Sequence, residues 1–137
     1  MRISRKDPFK VLFIYPNTMM ATLLPIHVSV LSACLKKVGI DVRLFDTTYY
    51  PTEKINFEQK KVQLLQLKPY DLNSAGILFK TTDMHDDLSS IIHNYNPDLV
   101  AITIVEDTYT LANSLLETVK SNSNVPVIAG GVFAYAC

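Results

Sequence analysis

Short unbroken apolar runs alternate with segments whose apolar residues recur at helical spacing. Lys10–Tyr15 (KVLFIY) is the first run; it ends at Pro16-Asn17 and reads as a strand buried on both faces. Over Pro25–Val38 the period becomes helical, with Ile26, Val30, Leu31, Cys34, Leu35 and Val38 on one face. Pro25 suits its first turn, and Gly39 stands where a left-handed C-terminal cap falls. Asp41–Asp46 (DVRLFD) predicts a second strand. The long connection Thr47–Pro97 begins with a stretch rich in Tyr, Lys, Gln and Pro, in which Glu58–Leu67 suggests a short helix. It ends with Met84, Leu88, Ile91, Ile92 and Tyr95 at helical spacing, capped by Thr82 or Asp83 and stopped by Pro97. Asp98–Ile104 (DLVAITI) predicts a third, buried strand. Asp107–Ser121 predicts a helix through Leu111, Leu115, Leu116 and Val119, with Glu106 and Asp107 at its positive end. Val125–Ala129 (VPVIA) predicts a fourth strand, followed at once by Gly130-Gly131.

Strands alternating with helical segments specify an α/β domain with a doubly wound parallel sheet, Rossmann-like and flavodoxin-like, in strand order 2-1-3-4. At 137 residues the chain is one domain, long enough to bury roughly two-thirds of its surface. A domain of this kind normally adds a helix and often a further strand after the fourth. The expectation is therefore that residues 1–137 are one piece of a longer polypeptide, truncated at the C-terminal side.

Composition removes several classes of function. With 48% hydrophobic and 19% charged residues the chain is not disordered, and 13 Lys+Arg balance 13 Asp+Glu without a basic stripe. Nucleic-acid binding, which depends on neutralising phosphates, is not expected. No apolar stretch approaches the roughly 20 residues of a membrane span, and no signal peptide is apparent, so a cytoplasmic protein is expected. The 4 glycines cannot make a dinucleotide fingerprint or a P-loop. Cys34 and Cys137 form no metal or redox motif, the 3 histidines have no metal-ligand spacing, and no serine sits in a Gly-x-Ser-x-Gly elbow.

Open parallel sheets bind ligands beyond the carboxyl ends of their strands, at the switch in strand order. Three segments meet there: Pro16–Leu24 (beginning Pro16, Asn17, Thr18), Thr103–Asp107 (beginning Thr103, Ile104, Val105), and Gly130-Gly131. Paired glycines permit close approach of another group or a positive φ, and they equally make an ordinary tight turn. A threonine at a strand end is as readily structural.

In order and spacing, these motifs resemble the N-terminal cobalamin-binding domain of cobalamin-dependent radical S-adenosylmethionine enzymes. The matching segments are VLFIYP (Val11–Pro16), Pro25-Ile-His-Val28, Lys36-Lys-Val-Gly39, VRLFD (Val42–Asp46), Pro97-Asp-Leu-Val100, Thr103, and Pro126-Val-Ile-Ala-Gly-Gly131. The resemblance covers the chain except about residues 50–80. It implies that Thr103-Ile104-Val105 fills the slot where such domains carry Ser-x-Leu, and that Gly130-Gly131 fills their Gly-Gly slot. Their Asp-x-His-x-x-Gly slot is empty here, since residues 16–24 contain no histidine. The implied cofactor is cobalamin in its base-off form, its nucleotide tail buried in the domain and no histidine on the lower cobalt face. His27 falls where the family has glycine, and is expected to be a plain helix residue. The iron–sulfur cluster and S-adenosylmethionine would belong to a missing C-terminal catalytic domain, the partner of this one. By itself the chain is not expected to be an enzyme; the longer protein would be one, a methyltransferase being the commonest case.

Two other classes compete. A domain of the same fold that has lost the cofactor would serve as a docking or structural part, and the missing histidine keeps this alternative open. A phospho-receiver needs acidic residues after the first strand and an Asp ending the third, where this chain has Pro16-Asn17 and Thr103. A flavin-binding signalling domain is the remaining case; its protein would be yellow.

Overall fold

A computed structural model of the chain describes residues 7–18, 25–52, 57–68 and 74–132. The apolar runs become β1 (Lys10–Tyr15), β2 (Asp41–Asp46), β3 (Leu99–Thr103) and β4 (Val127–Gly130). They form one parallel 4-stranded sheet in the order β2-β1-β3-β4. The helices are α1 (Ile26–Lys37), α2 (Phe57–Gln63), α3 (Met84–Tyr95) and α4 (Tyr109–Asn122). The expected α/β architecture and strand order are those observed.

Strand alternation sorts the core into two layers. Leu12 and Ile14 of β1 share a face with Val100, Ile102 and Phe45, and they pack under Leu88, Ile92 and Tyr95 of α3 and Ala112, Leu115 and Val119 of α4. Val11, Phe13 and Tyr15 point the other way, with Ala101 and Leu99, against Val28 of α1. The central position of β1 follows from this: it alone among the strands is apolar and buried on both faces over nearly its whole length.

Helix ends follow local chemistry. Asp83 caps α3, its Oδ1 accepting from His85 N at 2.8 Å and Asp86 N at 3.0 Å. Asn96 closes α3 in a left-handed conformation ahead of Pro97. Past α1, Gly39 takes φ +83° while its amide donates to Lys36 O and that of Ile40 to Leu35 O, both at 3.1 Å. This is the Schellman arrangement. The same pattern ends α2 at Gln63, short of the expected Leu67: Leu65 adopts φ +57° and Gln66 N donates to Lys61 O.

Three sequence expectations need correction. The arc Ile26, Val30, Leu31, Cys34 and Val38 is not the buried side of α1; Ile26 is 69%, Val30 57% and Val38 73% exposed, and Cys34 is exposed too. The helix meets the sheet through Val28, with Ser32 and Leu35 half-buried one and two turns on. Small Ser32 sits in the contacting stripe, so the most apolar arc is rotated away from it. β4 starts at Val127 rather than Val125, because Pro126 has no amide to donate and offers only its carbonyl, which accepts from Val100 N at 3.0 Å. The segment ahead of α4 first makes a 3-10 turn, Glu106–Thr108, in which Thr108 Oγ1 accepts from Val105 N, so Glu106 and Asp107 precede the α-helix.

A polar clasp ties the β2 connection to α3. Tyr50 donates from its hydroxyl to Asp87 Oδ2 at 2.6 Å, Thr82 donates to the same oxygen at 2.6 Å, and Lys80 Nζ donates to the Tyr50 hydroxyl at 2.8 Å. Burial, and then the Asp87 carboxylate, hold the Tyr50 phenol protonated well above its ordinary range. The hydrogen bonds from Thr82 and Tyr50 hold the Asp87 carboxyl below its usual value.

Candidate functional site at the carboxyl ends of the strands

Because all four strands are parallel, β1, β3 and β4 deliver their carboxyl ends to one edge. Thr103 and Gly130, the last residues of β3 and β4, are register partners. Each lies two positions beyond a residue of the α1-facing side, Thr103 after Ala101 and Gly130 after Ile128, so both point to that side. There α1 lies over β1 and β2, and a cavity of about 450 Å³ opens between its first turns and the ends of β3 and β4. Phe13 and Ala101 line its sheet side, His27, Val28 and Leu31 its helix side, and Ile128 and Val132 its outer margin. Ile102, Val105 and the glycines Gly130 and Gly131 complete the lining. Thr103 and His27 supply the polar side chains, and none of the lining residues is charged.

The glycine pair divides its work. A Cβ on Gly130 would meet no atom within 4 Å, so this position opens into free space on the slot side. Gly131 has φ +111°, and a Cβ there would run into the carbonyl oxygen and amide nitrogen of Ile104. The two segments are joined just there by Ile104 N donating to Gly130 O at 2.7 Å. Gly131 therefore serves a backbone approach within the protein, while Gly130 leaves room for something else.

Of the residues singled out from sequence, Thr103, Val105, Gly130 and Gly131 come together around this slot. Ile104 faces the opposite way into the α3/α4 core and acts as the surface against which Gly131 rests. Pro16, Asn17 and Thr18 are outside the slot lining. Asn17 is 2% exposed and knits β1 to the end of β2: its amide donates to Thr47 Oγ1 at 2.7 Å, its side chain donates to Thr48 Oγ1 at 2.9 Å, and its carbonyl accepts from Thr47 Oγ1 at 2.8 Å. The remainder of that predicted segment, residues 19–24, lies outside the described residues, as do residues 133–137.

Sequence reasoning missed Phe13, Leu31, Ile128 and the placement of His27. Counting back two positions from Thr103 and from Gly130 finds Ala101 and Ile128, the signal that was available for the strand residues. Which residues of α1 face them depends on how the helix is rotated, which tertiary packing decides.

A second cavity of about 430 Å³ lies between α1 and the middle of β2, bounded by Val28, Ser29, Ser32 and Leu44 among others. It is away from the strand ends. Among the described residues no group of three His, Cys, Asp or Glu side chains is placed to hold a metal ion. His85 instead pairs with Thr118 Oγ1, and His93 with Ser89 O, both at 2.7 Å. No helix among the described residues is long and apolar enough to cross a membrane.

Fold and slot together define an open, Rossmann-like parallel α/β domain with an apolar recess at its strand switch. No protein-family profile matches the chain, and no curated protein does. Solved structures do match. The radical S-adenosylmethionine methyltransferase TsrM from Kitasatospora setae, with tryptophan substrate and the SAM analogue aza-SAM bound, superposes with TM-score 0.59 at 17% identity, over 89% of this chain and 19% of that one. The same enzyme with cobalamin and an iron–sulfur (4Fe-4S) cluster bound gives TM-score 0.53 at 18% identity, over 90% of this chain and 18% of that one. This chain thus spans about a fifth of the length of the protein it matches, and at such identities the likeness is one of fold.

Proposed function

We propose that this chain is a cobalamin-binding module, in which the slot at the ends of β3 and β4 receives the nucleotide tail of the cofactor. The observation that carries this reading is Gly130: its missing side chain leaves open space in an uncharged, mainly apolar recess at the strand ends. Such a recess suits a flat heteroaromatic base, with a few polar groups to orient the attached sugar and phosphate. The likeness in fold to TsrM, which holds cobalamin, supports it. On this reading Thr103, Val105, Gly130 and Gly131 form the wall beside the tail and Ile104 backs Gly131, while Pro16, Asn17 and Thr18 lie outside the slot, where Asn17 fastens the end of β1 to the residues after β2. Thr103 is suited to hydrogen-bond the tail, since its hydroxyl has no partner among the described residues.

With its nucleotide tail in the slot the cofactor would be held base-off, and because residues 16–24 contain no histidine that loop offers cobalt no imidazole. Bound cobalamin supplies a cobalt centre able to carry an alkyl group. The role of this chain would be to hold the corrin for a separate radical S-adenosylmethionine domain carrying the iron–sulfur cluster, probed by asking whether such a domain binds the loaded module. The direct test is to incubate the purified chain with hydroxocobalamin and desalt it. Retention of a red, base-off species that the Gly130→Val variant fails to retain is the expected result; a colourless chain after desalting overturns the proposal. A second reading, a docking part of the same fold, is favoured by the exposed apolar arc Ile26, Val30 and Val38 on α1, and colourless protein would leave it standing.

A further inference from the structure

His27 is exposed, as an ordinary helix residue would be, and its position adds a second observation. It lies in the first turn of α1, the end nearest the strand carboxyl termini, and lines the slot opposite Thr103. Its ring stands 5.8 Å from that of Tyr15, with the planes at 60°, a tilted aromatic contact that restrains the imidazole. Tyr15 itself is buried at the end of β1, so the restraint comes from a rigid part of the sheet. Neither ring nitrogen of His27 has a hydrogen-bond partner among the described residues, unlike His85 and His93, whose Nδ1 atoms are both engaged. A side chain with hydrogen-bonding capacity is thus positioned, unspent, on a recess whose other lining side chains are apolar except for Thr103.

An uncharged apolar slot accommodates an aromatic base but offers little to the ribose and phosphate that must follow it. Imidazole supplies what is lacking, because neutral histidine has one donor and one acceptor nitrogen. Resting on the cobalamin reading above, we propose that His27 is a binding residue for the nucleotide tail, hydrogen-bonding its sugar–phosphate portion from the α1 side of the slot, and is not a cobalt ligand. Tyr15 is then a positioning residue that holds the ring by contact.

The comparison that isolates the tail uses two corrinoids, cobalamin and cobinamide, which share the corrin and differ in that cobinamide lacks the nucleotide. Affinities of the full chain and of His27→Ala and His27→Phe are measured by absorbance titration, with thermal melting to verify folding. His27→Phe keeps an aromatic ring against Tyr15 and removes the nitrogens. Both variants are expected to bind cobalamin about tenfold more weakly, the size of one hydrogen bond to a charged group, with cobinamide affinity and the bound cobalt spectrum unchanged. Unaltered cobalamin affinity overturns the inference and leaves the cobalamin reading intact. So does an equal loss for cobinamide, which would place the effect on the corrin, or a shifted cobalt spectrum, which would make His27 a ligand of the metal. Failure of the unsubstituted chain to bind either corrinoid overturns both readings together.

Discussion

Exchanging the two adjacent glycines one at a time should separate binding from folding. In Gly130→Val the new side chain enters space in which a Cβ has no neighbour within 4 Å, and the backbone φ there is not in the left-handed region. Valine also suits a strand better than glycine, so stability should change by no more than about 1 kcal/mol in either direction. The slot, however, would lose the volume beside Thr103, and cobalamin uptake should be blocked. Gly131→Ala presents the opposite case. At φ +111° an L-residue is strained by about 1–3 kcal/mol, and its Cβ would collide with the Ile104 carbonyl and amide, backbone atoms that cannot rotate away. A total loss of about 3 kcal/mol is expected, lowering Tm by about 10 °C in a domain of this size. Differential scanning calorimetry and hydroxocobalamin titration on both variants read the two effects independently. Wild-type affinity in Gly130→Val would refute the tail slot. A wild-type Tm in Gly131→Ala would refute the account of the glycine as a backbone contact.

Thr103→Val, which keeps shape but removes the hydroxyl, should weaken cobalamin binding about fivefold, worth ~1 kcal/mol, and leave the melting curve unchanged; isothermal titration checks the first part of that claim and thermal melting the second. Tyr50→Phe should destabilise the fold by about 2 kcal/mol, since it removes a buried hydroxyl bonded to the Asp87 carboxylate and the Lys80 ammonium; urea denaturation measures it. The folded-state pKa of Asp87 is depressed, so its contribution is present above the unfolded carboxyl value of about 3.9 and fades as pH falls through the folded one. Consequently the stability gap between wild type and Asp87→Asn should be constant near neutrality and shrink below about pH 4, a trend that melting curves across pH 3–7 would reveal. The exposed arc on α1 should drive self-association, and Val30→Ser with Val38→Ser should reduce it without lowering Tm; sedimentation velocity at rising concentration distinguishes this from a monodisperse wild type.

Much of this architecture is determined by local pattern. Four apolar runs, the first closed by Pro16 and the last by Gly130, alternate with helical periods, two of which end at Gly39 and Pro97; they admit few arrangements besides a parallel sheet with right-handed crossovers, and burial of both faces of Lys10–Tyr15 places that strand inside it. Capping chemistry is equally local, which is why Asp83, Asn96 and Gly39 act where their residue types suggest. Tertiary structure decided what local pattern leaves degenerate. The rotation of α1 puts Val28 and Leu35 against the sheet and leaves the more apolar arc outside, because contact area depends on where the neighbouring strands end as well as on the hydrophobicity of the helix. It also brings His27 to the slot opposite Thr103, residues 76 positions apart in sequence with no periodic relation between them. The difference between Gly130 and Gly131 has the same origin. As a dipeptide they are equivalent, and only the Ile104 backbone standing where a Cβ of Gly131 would go, with nothing where a Cβ of Gly130 would go, makes the second a structural necessity and the first an opening.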